Sequence, residues 1–255
     1  MASIALITVA GISSRFNRNQ PVKTLKAIYH EGNPQHTCLY RLCRQCQTCD
    51  GIIVVGGYQF KSLTNYIDRM MPSELRAKIT TVFNPHYADY ASGFSIYSGL
   101  QTAFAVDDLK EIIFIEGDLI VDTPSLTNVL KAEGDVITYN RESVDSRKSV
   151  VLYDDAEGKF HYKYSAKHGL LSIEEPFRHI WNSGQIWKFT SVEALKRACS
   201  SFVEECISGV GLNLVQRYFD QILPEKVRTI AIEHWFNCNT REDYSGAFDF
   251  ASTEV

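Results

Sequence analysis

Short continuous apolar runs alternate with helix-period segments along the first half of the chain. Ser3–Val9, Gly51–Gly56 and Glu111–Ile115 are apolar throughout most of their length. Such runs predict strands buried on both faces. Lys78–Phe83 and Asp135–Tyr139 add two shorter strands. Between them, Thr37–Thr48, Leu63–Met71, Phe94–Ala105 and Pro124–Ala132 carry apolar residues at helical spacing, and Pro72 ends the second of these helices. Strand and helix in strict alternation predict a mainly parallel sheet with right-handed crossovers.

The pattern changes after Tyr139. Ser149–Tyr153 and Lys159–Tyr164 flank a polar stretch containing Gly158 and read as a hairpin. Gly184–Phe189 is a further strand. Ser191–Ser208 and Val210–Ile222 are helices, the second stopped by Pro224, and Val227–Ile232 is the last strand. There is no Pro-, Gly- or Ser-rich linker, repeat or low-complexity run. The expectation is one α/β domain over residues 1–255, with an antiparallel insertion at about 149–189.

Composition narrows the choice of partners. Formal net charge is −4 over 255 residues, so the general basic footprint of a nucleic-acid binder is absent. No apolar run approaches the roughly 20 residues needed to span a membrane, and no leader pattern opens the chain. These features predict a cytoplasmic protein with no nucleic-acid or membrane partner; association into homo-oligomers is left open. Seven cysteines, an odd number, argue against a disulfide framework. Cys43, Cys46 and Cys49 have a spacing resembling part of an iron–sulfur pattern. Cys43 and Cys46 share a helical face with Leu39 and Leu42, however, which predicts plain packing.

In parallel α/β sheets ligands bind beyond the carboxyl ends of the strands. Four polar, glycine-bearing or asparagine-bearing segments fall there: Gly11–Arg15, Gly56–Tyr58, Asn84–Tyr87 and Gly117–Asp118. A small-residue loop followed by Arg15, Lys23 and Lys26 suits a triphosphate, since backbone N–H groups can face it with cations around it.

These segments carry a family resemblance. Ala10-Gly11-Ile12-Ser13-Ser14-Arg15, followed by Lys23-Thr24-Leu25-Lys26-Ala27-Ile28, resembles the A-G-x-G-x-R and P-K-x-L-x-x-I signature of nucleotidyltransferases that activate sugar phosphates and phosphocholine. Gly117-Asp118 with Asp122 is similar to G-D-x-x-x-D. Asn182–Phe189 resembles N-x-G-x-x-x-F, and Trp235–Asp243 resembles W-x-x-[IV]-[DN]-T-x-E-D. The resemblance implies a Rossmann-like, GT-A-like α/β fold. Three positions depart from the pattern. Ser13 replaces a glycine and calls for a negative φ. Val22 separates Pro21 from Lys23, which leaves Lys23 and Lys26 as competing lysines, the K-x-L-x-x-I spacing favouring Lys23. Glu175 stands where sugar-using members carry lysine, which points away from sugars.

The implied chemistry is attack by an acceptor oxyanion on the α-phosphorus of a nucleoside triphosphate, with release of pyrophosphate. Mg²⁺ is the implied cofactor, held by Asp118 and Asn239. Arg15 and Lys23 are the implied catalytic cations. Ala10, Gly11, Ile12, Ser13, Ser14, Asn84 and Ser95 are the implied nucleotide contacts. Asp122, before Thr123-Pro124, reads at least as well as a helix cap. Lys163, Lys167 and Arg178 read as solvated charges. Trp181, Trp187 and Trp235 are candidates to line a pocket for a choline-like group, with core packing as the ordinary alternative.

CTP with a phosphocholine-, phosphonate- or phosphoglutamine-like acceptor is the favoured pair, in the manner of cell-surface polysaccharide precursor synthesis. The alternatives are a sugar-1-phosphate nucleotidyltransferase and a non-catalytic nucleotide-binding regulator. A glycosyltransferase is disfavoured because Glu116-Gly117-Asp118-Leu119-Ile120 lacks an Asp-x-Asp pair.

Overall fold

A computed structural model describes residues 1–144, 150–164 and 171–251. Ser149 and Lys167 lie outside the described residues. The elements run β1 (Ala2–Thr8), α1 (Cys38–Gln45), β2 (Gly51–Gly56), α2 (Phe60–Met70), α3 (Ser73–Arg76), β3 (Ile79–Phe83), α4 (Gly93–Ala103), β4 (Leu109–Glu116), β5 (Leu119–Val121) and α5 (Thr123–Lys131). There follow β6 (Asp135–Asn140), β7 (Val150–Asp155), β8 (Phe160–Tyr164), β9 (Phe177–Phe189), α6 (Val192–Cys206), α7 (Gly211–Phe219), β10 (Val227–Ile232), β11 (Trp235–Asn237) and α8 (Arg241–Ala251).

The main sheet has the order β10-β6-β9-β4-β1-β2-β3. β4, β1, β2 and β3 are parallel, as are β10 and β6. β9 runs antiparallel between β4 and β6. The apolar runs explain the central position of β1 and β4, since both faces of each are covered. In β1, Ala5 and Ile7 pack in the layer holding α1, α2 and α5. Ile4 and Leu6 pack in the opposite layer with α4, α6 and α7. The alternation of side chains along a strand sends neighbours to opposite faces in this way.

The predicted hairpin forms from β7 and β8, but it is not a separate body. β7 pairs with the amino-terminal half of β9, so the antiparallel extension continues the main sheet. β9 is longer than the predicted Gly184–Phe189. Because Ile115 lies opposite Ile186, residues 177–184 of β9 run on past the carboxyl end of β4. β5 and β11, neither foreseen from the sequence, pair antiparallel with each other. They bring the segment after Asp118 against the segment before Asn239.

The cysteines pack as predicted. Cys43, Cys46 and Cys49 are buried in the layer beneath α1, and all seven thiols are free. Among the described residues no group of three or more His, Cys, Asp or Glu side chains is arranged to hold a metal. Thr37 caps α1 by accepting a hydrogen bond from Tyr40 N at 3.0 Å. Trp187 is fully buried and stacks on Phe114 at 5.0 Å. It is a core residue. Among the described residues no helix is long and apolar enough to cross a membrane.

Candidate active site

A cleft of about 400 Å³ opens over the carboxyl ends of β1 and β4, bordered on its other side by Asn84 and Ser95. Three of the four segments expected at the strand ends meet there: Ala10–Ile12, Asn84 and Tyr87, and Gly117–Asp118. Gly117 permits the approach. A Cβ at that position would stand 2.4 Å from Val9 Cγ1 and 2.7 Å from the Thr8 carbonyl oxygen, so only glycine lets β4 end this close to β1. Gly11 is different. A Cβ there would meet nothing within 4 Å, so any need for glycine would come from a ligand.

The loop after β1 is held from behind and open in front. Ala10 O accepts a hydrogen bond from Tyr58 N at 3.1 Å, and Val9 N donates to Val55 O at 2.8 Å. Gly11 and Ile12 border the cleft, and their N–H groups make no hydrogen bond among the described residues. Ser13 corrects the expectation of a negative φ. Its φ is +54°, the left-handed conformation a glycine would take more cheaply. The serine has a compensating role, because its Oγ accepts a hydrogen bond from Lys26 N at 3.2 Å. Ser13 is thus buried beneath the loop, and Ser14 is exposed outside the cleft lining.

The lysine in the cleft is Lys26. Its Nζ lies 2.5 Å from Asp118 Oδ2 and 3.4 Å from Asn239 Oδ1. Lys23, favoured by sequence spacing, turns back and donates to Asn17 O at 2.7 Å. The physical reason is a clamp on the backbone between them. Asn17 bonds both the N–H and the C=O of Thr24, at 2.9 and 2.8 Å. Gln59 accepts from Leu25 N at 3.1 Å and donates to Lys23 O at 2.9 Å. A one-turn helix then starts at Lys26 and aims it inward. Asn17 and Gln59 were not singled out from the sequence. Neither belongs to a recognisable motif, and only the folded chain brings them against Lys23–Leu25.

Asp118 sits in the turn after β4, and its carbonyl accepts from Cys238 N at 2.8 Å, which ties Asn239 to the same place. Asn239 Oδ1 also accepts from Arg15 Nη2 at 2.7 Å. Two sequence-predicted metal residues and one predicted cation therefore meet, with Lys26 as a fourth member. Arg15 lies on the exposed rim, outside the cleft lining. Glu116 was not anticipated. It lines the cleft, and burial, with the nearby Asp118 carboxylate, pushes its pKa up to about 8 against the pull of Lys26.

Asp122 is a structural residue. One oxygen accepts from Ser125 N at 2.7 Å, capping α5, and the other accepts from His234 N at 3.0 Å. Burial raises its pKa, but these hydrogen bonds outweigh that effect and leave it below the usual carboxylate range.

On the far wall, Asn84 Nδ2 donates to Ser95 Oγ at 2.8 Å, and Asn84 Oδ1 accepts from His86 N at 2.7 Å. Both side chains are buried in the lining. Tyr87 and Tyr90 complete that wall, with the Tyr90 ring stacked on His86 at 4.4 Å. Trp235 donates its indole N–H to Gly184 O at 2.9 Å, and Trp181 stacks on His179 at 5.2 Å. Neither lines this cleft. Glu175 is exposed, in the segment before β9, and accepts a hydrogen bond from Tyr153 Oη.

A family model described as a domain of unknown function, DUF6564, matches residues 22–251. The chain belongs to the DUF6564 family. No curated protein matches this DUF6564 chain in sequence. Its fold is that of nucleotidyltransferases of known structure. A UDP-glucose pyrophosphorylase complexed with UDP-glucose is similar over 100% of both chains, with a TM-score of 0.67 and 12% identity. An inositol-1-phosphate CTP transferase from T. maritima has a TM-score of 0.66 and 11% identity, over 96% of this chain and 94% of that one. A CTP:phosphocholine cytidylyltransferase from Streptococcus pneumoniae has a TM-score of 0.63 and 13% identity, over 98% and 100%.

Proposed function

We propose that this DUF6564 chain is a Mg²⁺-dependent nucleotidyltransferase. It joins a nucleoside triphosphate, CTP in the first instance, to a small phosphorylated or phosphonate acceptor and releases pyrophosphate. The observation that carries the proposal is the meeting of Lys26, Asp118 and Asn239 beside the unpaired N–H groups of Gly11 and Ile12. Cation, carboxylate and backbone donors are what a triphosphate requires, and the nucleotidyltransferase fold supports the same reading.

The acceptor oxyanion attacks the α-phosphorus in line. A new P–O bond forms as the bond to the bridging oxygen breaks, and that electron pair leaves with pyrophosphate. Catalysis of this kind is positioning plus charge neutralisation. The Gly11 and Ile12 amides face the phosphates, while Lys26 and Arg15 offset the charge that builds on the leaving group. Asn84, Ser95, Tyr87 and Tyr90 hold the nucleoside against the opposite wall.

The donor set at Asp118 fits Mg²⁺. Its carboxylate and the Asn239 amide oxygen are hard donors, Glu116 is beside them, and the Lys26 ammonium already stands as a cation between Asp118 and Asn239. So few protein oxygens suit an ion that keeps waters and takes phosphate oxygens as further ligands. Bound there, Mg²⁺ would neutralise phosphate charge.

The acid at Glu175 supports a non-sugar acceptor. A sugar 1-phosphate is the second reading, favoured by the full-length likeness to the UDP-glucose enzyme. One crossed panel tests both. CTP, UTP, dTTP and ATP are each paired with phosphocholine, aminoethylphosphonate, phosphoglutamine and glucose 1-phosphate, and pyrophosphate is measured. Turnover should be highest with CTP and a non-sugar acceptor, and Asp118→Asn should lose most of it while remaining folded. Turnover on glucose 1-phosphate alone would favour the second reading. No pyrophosphate from any pair would defeat both.

A further inference from the structure

A second, smaller cleft of about 300 Å³ lies behind Arg15, between the loop that follows it and the start of α8. Three guanidinium groups border it, those of Arg15, Arg18 and Arg241, against one carboxylate, Glu242. Arg241 is held rigidly. Its guanidinium carbon lies 3.9 Å from the centre of the Tyr29 ring and 5.0 Å from that of Phe16. Stacking of this kind fixes the guanidinium plane. Its Nε is buried and has no hydrogen-bond partner among the described residues. None of the three arginines forms a salt bridge among the described residues.

The two clefts share no lining residue, but Asn239 links them. Arg15 borders the smaller one and donates to Asn239 Oδ1, which Lys26 approaches from the larger one. The cations thus form a continuous series from Lys26 through Arg15 to Arg18 and Arg241. An excess of guanidinium groups with one unused buried N–H suits a compact anion that can accept several hydrogen bonds at once. Phe16 is the aromatic residue of that lining and is buried, which leaves no exposed ring there to stack on a base.

We infer that this second cleft is an exit site for inorganic pyrophosphate. The inference rests on the proposed triphosphate chemistry of the larger cleft. Pyrophosphate freed at Lys26 and Arg15 passes to Arg18 and Arg241, so that the reaction products leave by separate routes. No bond is made or broken in the transfer.

The test is calorimetric titration of inorganic pyrophosphate into the nucleotide-free protein and its Arg18→Gln and Arg241→Lys variants. Loss of one charge-assisted contact weakens binding by about tenfold. Arg18→Gln should therefore bind pyrophosphate about tenfold more weakly while keeping its CTP affinity within about twofold. Arg241→Lys keeps the charge and loses the fork, and should weaken pyrophosphate severalfold in a protein that melts somewhat lower, for want of the stacking on Tyr29 and Phe16, but is still folded at the titration temperature. Pyrophosphate binding that falls in both variants, with no turnover in the nucleotide panel, would support the anion site while removing the transfer reading. Wild-type affinity in Arg18→Gln, equal losses of pyrophosphate and CTP in it, or no pyrophosphate binding by the wild type would overturn the inference.

Discussion

The two lysines of the amino-terminal segment have opposite expected roles, and exchanging each for alanine separates them. Lys26 Nζ sits 2.5 Å from Asp118 Oδ2, with the two side chains only 20% and 16% exposed. At an effective dielectric of about 20 that separation corresponds to a gross attraction of about 7 kcal/mol, most of which offsets the desolvation of the pair. What matters for turnover is a cation directed at phosphate oxygens. One charge-assisted contact of that kind contributes about 1.5–3 kcal/mol. Lys26→Ala should therefore lower kcat/KM by about 10- to 150-fold. Lys23 is exposed, and among the described residues its ammonium donates to the Asn17 carbonyl alone. Its removal costs about 1 kcal/mol of stability, a fall in melting temperature of about 2–4 °C, and should leave kcat/KM within about twofold. Pyrophosphate release gives the rates, and thermal melts give the stabilities. Removing Lys26 also strips the ammonium that bridges Asp118 and Asn239, so the free variant should bind Mg²⁺ more tightly than wild type. A variant at Lys23 that loses tenfold or more, beside a near-normal Lys26→Ala, would refute the assignment.

Two further predictions concern the carboxylates around the site. Asp122→Ala strands two backbone donors, Ser125 N and His234 N. The lost cap and the unpaired donors together cost about 3 kcal/mol, which lowers the melting temperature by roughly 6–12 °C, and Mg²⁺ affinity should not change. Weaker Mg²⁺ binding with a wild-type melt would make Asp122 a metal ligand after all. Glu116 titrates at about 8 in the folded, ligand-free protein, against 4.5 ordinarily. The folded state therefore binds the proton more tightly than the unfolded chain, and stability falls as pH rises from about 4.5 to 8. Glu116→Gln removes that slope. Its melting temperature should match wild type near pH 4.5 and exceed it increasingly towards pH 8; a constant difference across the range would count against the buried carboxyl.

The sheet was legible because its central strands are apolar on both faces. Gly51–Gly56 and Glu111–Ile115 can be buried in no other common way, and both lie in the core of the parallel sheet. The strand-end rule then located the cleft, and Gly11, Asn84 and Asp118 all border it. Legibility failed where tertiary contacts decide. The K-x-L-x-x-I spacing points to Lys23, and only the Asn17 and Gln59 clamps, invisible in the sequence, put Lys26 in the cleft instead. The conformation of Ser13 was misjudged because its strain is offset by a hydrogen bond to a residue thirteen positions on. β5 and β11 have three residues each, too few for any period to appear. Trp187 looked available for a ligand because a tryptophan in sequence carries no mark of the stacking partner, Phe114, that buries it.

A structure with Mg²⁺ and a non-hydrolysable CTP analogue tests the triphosphate reading most directly. The phosphates should lie against the amides of Gly11 and Ile12, with the Lys26 ammonium moved off Asp118 to the phosphate oxygens and the metal in its place. Nucleotide bound elsewhere, with Lys26 still on Asp118, would contradict it.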